Sequence, residues 1–368
     1  MEFTYELNNK RYDSEEVSRK YPKSAMISEI FSALVNGMSL DKFKGANVDK
    51  AVKDFKALGS RAVNGDGMAM SEINALLKNT INMPVLDELK MLSIFGTYKN
   101  VGYNDDIKRE VYHQAGEAAR EQAAAGDVPF GKPWKEEYNV PTFTVSGGYA
   151  VNYRDFELGN FDNEGIMLQN VKTEILNKAK LAVILRIYNA IKNATGVTYA
   201  MEFDTGLTKA GVDTVIKNVR PLGRPTVVGE YALVSQFNDF AGYKGLIDGT
   251  TITGISQKVL DEIAQNGVIG TYNGVVVTDV PNPYDLTKYN ADGTNFAKLA
   301  PAGLGFVIPT GVDSPIATWT RGGLTSLTGT NVETGDLETR FDIAVACDVA
   351  KGQEYKVAPI YDKSLGGL

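Results

Sequence analysis

The sequence predicts an α+β fold of several parts, and three observations carry that prediction. From Asp162 to Ala194 it reads as one unbroken amphipathic helix without an internal proline, far longer than the three or so turns usual in globular proteins. Ahead of it, Gly96 to Gly159 is polar and punctuated by glycine, with too little apolar material for a core of its own. Behind it, short helices alternate with apolar strands, and the last sixty or so residues read as β-structure.

Taken in order, three helical patterns, Ser24 to Leu40, Asn47 to Leu58 and Ser71 to Leu77, open the chain. They are short and variously faced, so they are expected to pack on the rest of the chain or on a second copy. Tyr98 to Gln114 and Tyr138 to Phe156 then alternate in the manner of strands. Around the Ala- and Gly-rich segment Ala115 to Gly131 they predict a long hairpin that must lie on another surface, because an isolated hairpin is marginal in water.

In the long helix, Leu168, Val171, Ile175, Ala179, Ala182, Val183, Ile187, Ala190 and Ile191 recur at steps of three and four. They form one apolar stripe, expected to face strands near Phe341 to Val349, with the other side turned away from that core. Asp162 to Glu164 supplies a cap and negative charge at the start, and Gly196 a stop. Beyond it come a helix from Gly206 to Val219, a buried strand from Pro225 to Val234 and a helix from Ser256 to Gln265. A hairpin from Val268 to Thr278 turns at Asn273-Gly274, a pair suited to positive φ at both central positions. Strands are expected at Gly303 to Pro309, Phe341 to Val349 and Tyr355 to Tyr361, with a mobile loop near Gly322 to Gly335.

Composition narrows function. With 38 Lys and Arg against 45 Asp and Glu, interspersed throughout, there is no basic stripe of the kind that neutralises phosphates. Contact with nucleic acid is expected to be weak and non-specific. The one cysteine, Cys347, has no intrachain disulfide partner and is expected in a buried strand of a chain made in a reducing compartment. The N-terminal text carries no secretion signal, and no window reaches the ~18 apolar residues of a membrane span.

The search for chemistry assigns no catalytic residue, no cofactor-binding residue and no metal ligand. His113 is the single histidine, set in a charged strand arm, where a surface or contact role is expected. The adjacent acids Asp105-Asp106, Glu136-Glu137 and Asp261-Glu262 read as solvated charge, since neighbours on a strand point to opposite faces. Gly126 to Lys132 has the spacing of a phosphate loop, but Pro133 stands where Ser or Thr is required and no buried strand precedes it. Gly267 to Gly274 is a hairpin with no helix opening from it, so it is no dinucleotide fingerprint.

The order of parts resembles the major capsid proteins of tailed bacteriophages, the Hong Kong 97 type of fold. The runs Gly211 to Val219, Pro225 to Val234 and Ile263 to Thr278 are similar to the axial domain of that family, and Glu338 to Ala346 with Tyr355 to Tyr361 to its closing strands. The resemblance covers residues 95 to 361. It implies an N-terminal helical arm at 1–94, an extended loop at 95–159, a peripheral domain at 160–198 and 306–350 with the long helix as spine, and an axial domain at 199–305 and 351–368. The implied function is self-assembly, as pentamers and hexamers, into an icosahedral head shell enclosing double-stranded DNA, assembled in the host cytoplasm. The implied partners are further copies of the chain, a separate scaffolding protein, a portal and a decoration protein. The rival readings are an encapsulin-like compartment shell and, more remotely, a soluble carboxylate-dependent α/β enzyme.

Overall fold

The computed structural model of the protein describes residues 5–7, 10–12, 27, 46–115, 121, 126, 130–152, 161–240, 257–290, 293–310, 314–331, 333–334 and 336–366. The expected helix from Ser24 to Leu40 lies outside the described residues except for Ile27, which is helical and buried.

Strands β1 (Tyr5–Leu7) and β2 (Lys10–Tyr12) pair with each other. Helices α1 (Ala46–Val63) and α2 (Gly67–Leu89) are both longer than expected. The polar text between them occupies a single turn, in which Gly65 takes a left-handed φ of 86°. Asp66 then caps α2 by accepting from the N–H groups of Met68 and Ala69.

The stretch that follows divides in three. Strand β3 (Thr97–Val101) joins the body, β4 (Lys108–Ala115) and β5 (Lys132–Asn139) pair antiparallel as a hairpin, and β6 (Thr142–Val151) returns to the body. Of the expected arms of the hairpin, Tyr98 to Gln114 is therefore too long and Tyr138 to Phe156 is misplaced: the second arm is β5, of which only Tyr138 and Asn139 fall in that range, while β6 pairs with β15 instead. A turn at Gly102, whose N–H donates to Asp105, interrupts the first, and Pro141, which has no N–H to donate, interrupts the second. The Val140 N–H donates to the Ile107 carbonyl and closes the hairpin at its root.

Helix α3 (Phe161–Lys192) runs for 32 residues, about 48 Å at 1.5 Å per residue. Its expected stripe is buried at Leu168, Val171, Ile175, Ala179, Val183, Ile187 and Ile191, and Leu176 and Tyr188 widen it. Ala190 is exposed and Ala182 half-buried. The helix ends four residues before Gly196, whose φ is not left-handed, and the side chains of the expected cap at 162–164 lie outside the described residues.

Next come β7 (Met201–Phe203), α4 (Lys209–Val219), β8 (Arg224–Gly229), α5 (Tyr231–Val234), α6 (Gln236–Phe240), α7 (Gln257–Asn266), β9 (Thr271–Tyr272) and β10 (Val275–Asp279). The expected strand Pro225 to Val234 thus stops at Gly229. There the backbone turns so that Leu233 packs down on Gly229 and Gly305, at either of which a Cβ would come within 3 Å of its Cδ2. Asn273 and Gly274 carry the positive φ values, 50° and 77°, expected of the turn between β9 and β10.

The ribbon β11 (Tyr284–Tyr289) and β12 (Phe296–Lys298) precedes β13 (Leu304–Thr310), β14 (Ile316–Thr330), β15 (Leu337–Val349) and β16 (Ala358–Asp362). The mobile loop expected near Gly322 to Gly335 is instead the continuation of β14 as far as Thr330. A register shift between Arg321 and Thr325 absorbs Gly322 and Gly323. Beyond it, hydroxyls hold the strand: Ser326 donates to the Asn74 carbonyl and Thr328 to the Asn74 side chain.

Two sheets result. The four-stranded one has the order β3-β14-β15-β6, and the six-stranded one β7-β16-β13-β8-β10-β9. Helices α2 and α3 cover one face of the first, where Leu337, Phe341, Ile343 and Val345 alternate inward along β15. Gly147 on β6 admits the spine closely, since a Cβ there would lie 2.9 Å from Ile175 Cγ1. The second sheet builds its core with α4, α5 and α6, through Val212, Ile216, Phe237 and Val307. Phe306 and Tyr361 of that sheet also belong to the cluster around α3, so the spine touches both sheets.

Candidate assembly surfaces

The root of the hairpin is built from groups that do not stand together in sequence. The alternation of β4 and β5 turns Arg109, Val111, His113, Trp134, Glu136 and Tyr138 toward the body. Arg109 donates to the Pro315 carbonyl at 2.7 Å and lies 3.9 Å from the Asp348 carboxylate. The Tyr138 hydroxyl donates to Asp348 at 2.7 Å, while the Lys351 ammonium sits 4.3 Å over the Tyr138 ring. Burial, then the neighbouring carboxylate, pushes the Tyr138 phenol up, and burial also raises the Asp348 carboxyl. Ile107, Val140, Ala317, Trp319 and Ala346 close an apolar patch beneath.

The opposite face of the hairpin is a charge ladder. Lys135 lies 2.7 Å from Glu110 and 3.7 Å from Glu137, and Lys108 lies 3.2 Å from Glu137. Aromatic rings stand out as well: Tyr112 on this face is 69% exposed, Phe130 beyond it 89%, and Trp134, on the inward face at the outer end of the hairpin, 47%. A second exposed aromatic pair, Tyr289 stacked on Phe296 at 5.4 Å, sits on the ribbon β11–β12. That ribbon is held at its base, where Asn282 exchanges two hydrogen bonds with Ala300 and Lys298 pairs with the buried Glu230. Between α3, the end of α2 and the β8–β13 end of the six-stranded sheet lies a cavity of about 620 Å³, walled by Phe95, Leu181, Ile184, Val280, Pro283 and Leu299.

The residues singled out from sequence fall into structural places. Cys347 is partly buried on β15 beside Thr318, and burial pushes its thiol up to about 12, away from the reactive thiolate. Asp105 closes the turn at Gly102, and Asp106 lies 3.9 Å from Arg321. Glu136 and Glu137 serve the two faces of the hairpin, as neighbours on a strand do, and both are ion-paired rather than merely solvated. Asp261 is exposed on α7, and the Glu262 side chain lies outside the described residues. Gly267 to Gly274 forms the β9–β10 turn region, and within Gly126 to Lys132 residues 127–129 lie outside the described residues. Among the described residues no group of three or more His, Cys, Asp or Glu side chains is placed to hold a metal ion, and no helix is long and apolar enough to cross a membrane.

Sequence reasoning missed Arg109, Tyr138, Asp348 and Lys351 as one cluster. The available signal was Asp348 itself, a charge that closes the apolar run Ile343 to Cys347.

The chain is similar in fold to several solved capsid structures. The capsid of cyanophage P-SCSP1u matches at 8% identity over 73% of this chain and 86% of that one, with a TM-score of 0.46. The head of Helicobacter pylori bacteriophage KHP40 matches at 12% identity over 74% and 90%, TM-score 0.47, and the virus-like particle of Pyrococcus furiosus at 10% over 76% and 97%, TM-score 0.40. No curated protein matches the chain. A family model described as SPbeta prophage-derived putative capsid protein YonB matches residues 6–359. That span takes in the spine, the hairpin and nearly all of both sheets, so the chain belongs to this family of prophage-derived capsid proteins.

Proposed function

We propose that the chain assembles as pentamers and hexamers into an icosahedral head shell that encloses double-stranded DNA. The observation that carries this reading is the β4–β5 hairpin. It is fastened at its root, yet it holds Tyr112, Trp134 and Phe130 out in solvent. Surfaces of this kind are satisfied when a second copy covers them, and head-to-tail contacts between unlike patches close into rings.

In this reading residues 1–94 are an arm and 199–305 with 351–368 the axial domain that meets its copies at the ring axes. Residues 160–198 and 306–350 are the peripheral domain, whose sheet of β14 and β15 is completed by β3 and β6, while β13 at 304–310 pairs with β8 and β16 in the six-stranded sheet. That leaves the hairpin as the part of 95–159 that reaches a neighbour. The work is mechanical, with no reaction catalysed. Small contributions from apolar burial and ion pairs are multiplied over many copies. A separate scaffolding protein, a portal and a decoration protein are the further partners, and the net charge of −7 suits a shell that does not grip its DNA.

Electron microscopy of the co-expressed protein tests the reading: closed shells, rings or tubes are expected, and a strictly monomeric species overturns it. Deleting residues 116–130 is expected to leave the circular dichroism of the subunit intact while shells fail to form. Loss of the folded subunit instead would place the hairpin within the subunit's own core.

A further inference from the structure

The single histidine of the chain sits where the hairpin meets the body. The His113 ring stacks on Trp134 at 4.2 Å and 18°, and its Cε1 edge abuts Gly352 in the turn after β15, where a Cβ would approach to 3.5 Å. Its Nε2 is shielded from solvent and makes no hydrogen bond, although Glu136 Oε2 stands 3.4 Å away. The other carboxylate oxygen of Glu136 lies 3.5 Å from the Lys351 ammonium. The remaining charged or titratable groups on this side are Arg109 and Tyr138, both directed at Asp348, with Glu354 beyond.

We propose that His113 is a proton-operated latch that seats the hairpin on the turn at 350–353. A neutral imidazole presents Glu136 with a lone pair in one tautomer, which is unfavourable in a shielded site, and in the other with an uncharged N–H, a weaker donor to a carboxylate than the cation. One proton taken from solvent turns Nε2 into a cationic donor to the carboxylate, and places positive charge on the indole face of Trp134. Glu136, itself on β5, is then pinned by His113 across the two strands of the hairpin while its other oxygen keeps Lys351 of the turn, so acid fixes the carboxylate through which the hairpin is seated. The latch concerns the hairpin and its own subunit, and stands whether or not the shell reading does.

The test uses the full chain carrying W319F, which leaves Trp134 as the only indole. Protonated imidazole quenches an adjacent indole more than neutral imidazole does, so emission is expected to fall as pH drops from about 8 to about 5. The one imidazole Cε1–H resonance of the unsubstituted chain is expected to titrate over the same interval. Amide exchange in 108–115 and 132–139, corrected for intrinsic rate, is expected to slow by about fivefold. E136Q should keep the quenching and lose the slowing, and H113N should lose both. Emission and resonance that stay flat overturn the latch, as does slowing that persists in E136Q. Should H113N fail to fold by circular dichroism, E136Q with the resonance titration decides.

Discussion

Strands β5 and β6 are separated by two residues and both alternate, yet they lead opposite lives. β6 lies between β15 and solvent with one face under the spine, where Gly147 lets Ile175 descend and Phe143 receives the Arg186 guanidinium at 3.8 Å. β5 has only β4 beside it, and its inward face meets Asp348 at the end of β15 and the turn that follows rather than a helix. The first is held by buried apolar area, the second by hydrogen bonds and ion pairs at one end. Alternation reports that a strand has two unlike faces; it does not report what covers them.

The largest expected effect separates the two directly. Phe341 is fully buried on β15 between the spine and Gly147, and F341A removes a ring that the surroundings cannot replace. A loss of about 3–5 kcal/mol is expected, read as a lower urea midpoint. A cost below 1 kcal/mol would mean that the spine does not depend on this sheet, and the contrast would fail. Next in size is Y138F. It takes the 2.7 Å donor away from half-buried Asp348, which keeps only the Arg109 guanidinium, 3.9 Å off, at ion-pair range. About 1–3 kcal/mol is expected to be lost, confined to the hairpin. Faster amide exchange in 108–115 and 132–139, with β15 unchanged, sharpens the comparison. Equal acceleration in β15 breaks it.

How much of this was legible follows the same division. The spine was readable within two residues of each end because a 3.6-residue period sustained over eight turns has no competing explanation. The Asn273-Gly274 turn was readable because few residue pairs accept positive φ twice. What failed was pairing between distant segments. Nothing local distinguishes Tyr138, which reaches Asp348, from Tyr149, which stacks on Phe341 at 6.3 Å. The stretch Gly322 to Thr330 was misread for a related reason. Its glycines announce a loop, but the hydroxyls that hold it as strand find their partner in Asn74, some 250 positions away. The candidate site suffered most, since every group at the hairpin root is ordinary until the fold brings Asp348 beneath it.

The smallest expected effect reverses the sign of the latch. At the end of the spine, Glu202 on β7 pairs with Lys192, accepts from Tyr188 at 2.8 Å and lies 3.2 Å from Lys363. The hydrogen bond from Lys192, then those from Tyr188 and Lys363, hold its carboxyl down from 4.5 to about 2. A carboxyl whose pKa is depressed by folding stabilises the native state above its unfolded value, and that contribution disappears as pH falls from about 4.5 toward about 2. The cluster is open to solvent, so the effect at neutral pH is expected to stay under about 1 kcal/mol and to shrink with salt. The measurement is the difference in urea midpoint between the native chain and E202Q, taken at neutral pH and again near pH 2. That difference should close in acid. The two ends of the subunit would then respond to protons in opposite directions over separate intervals: the hairpin gains its seat while Glu136 is still a carboxylate, and the spine loses its tether to β7 only in stronger acid. A difference that persists undiminished in acid would show that Glu202 acts through packing rather than charge, leaving His113 as the only one of the two that senses pH.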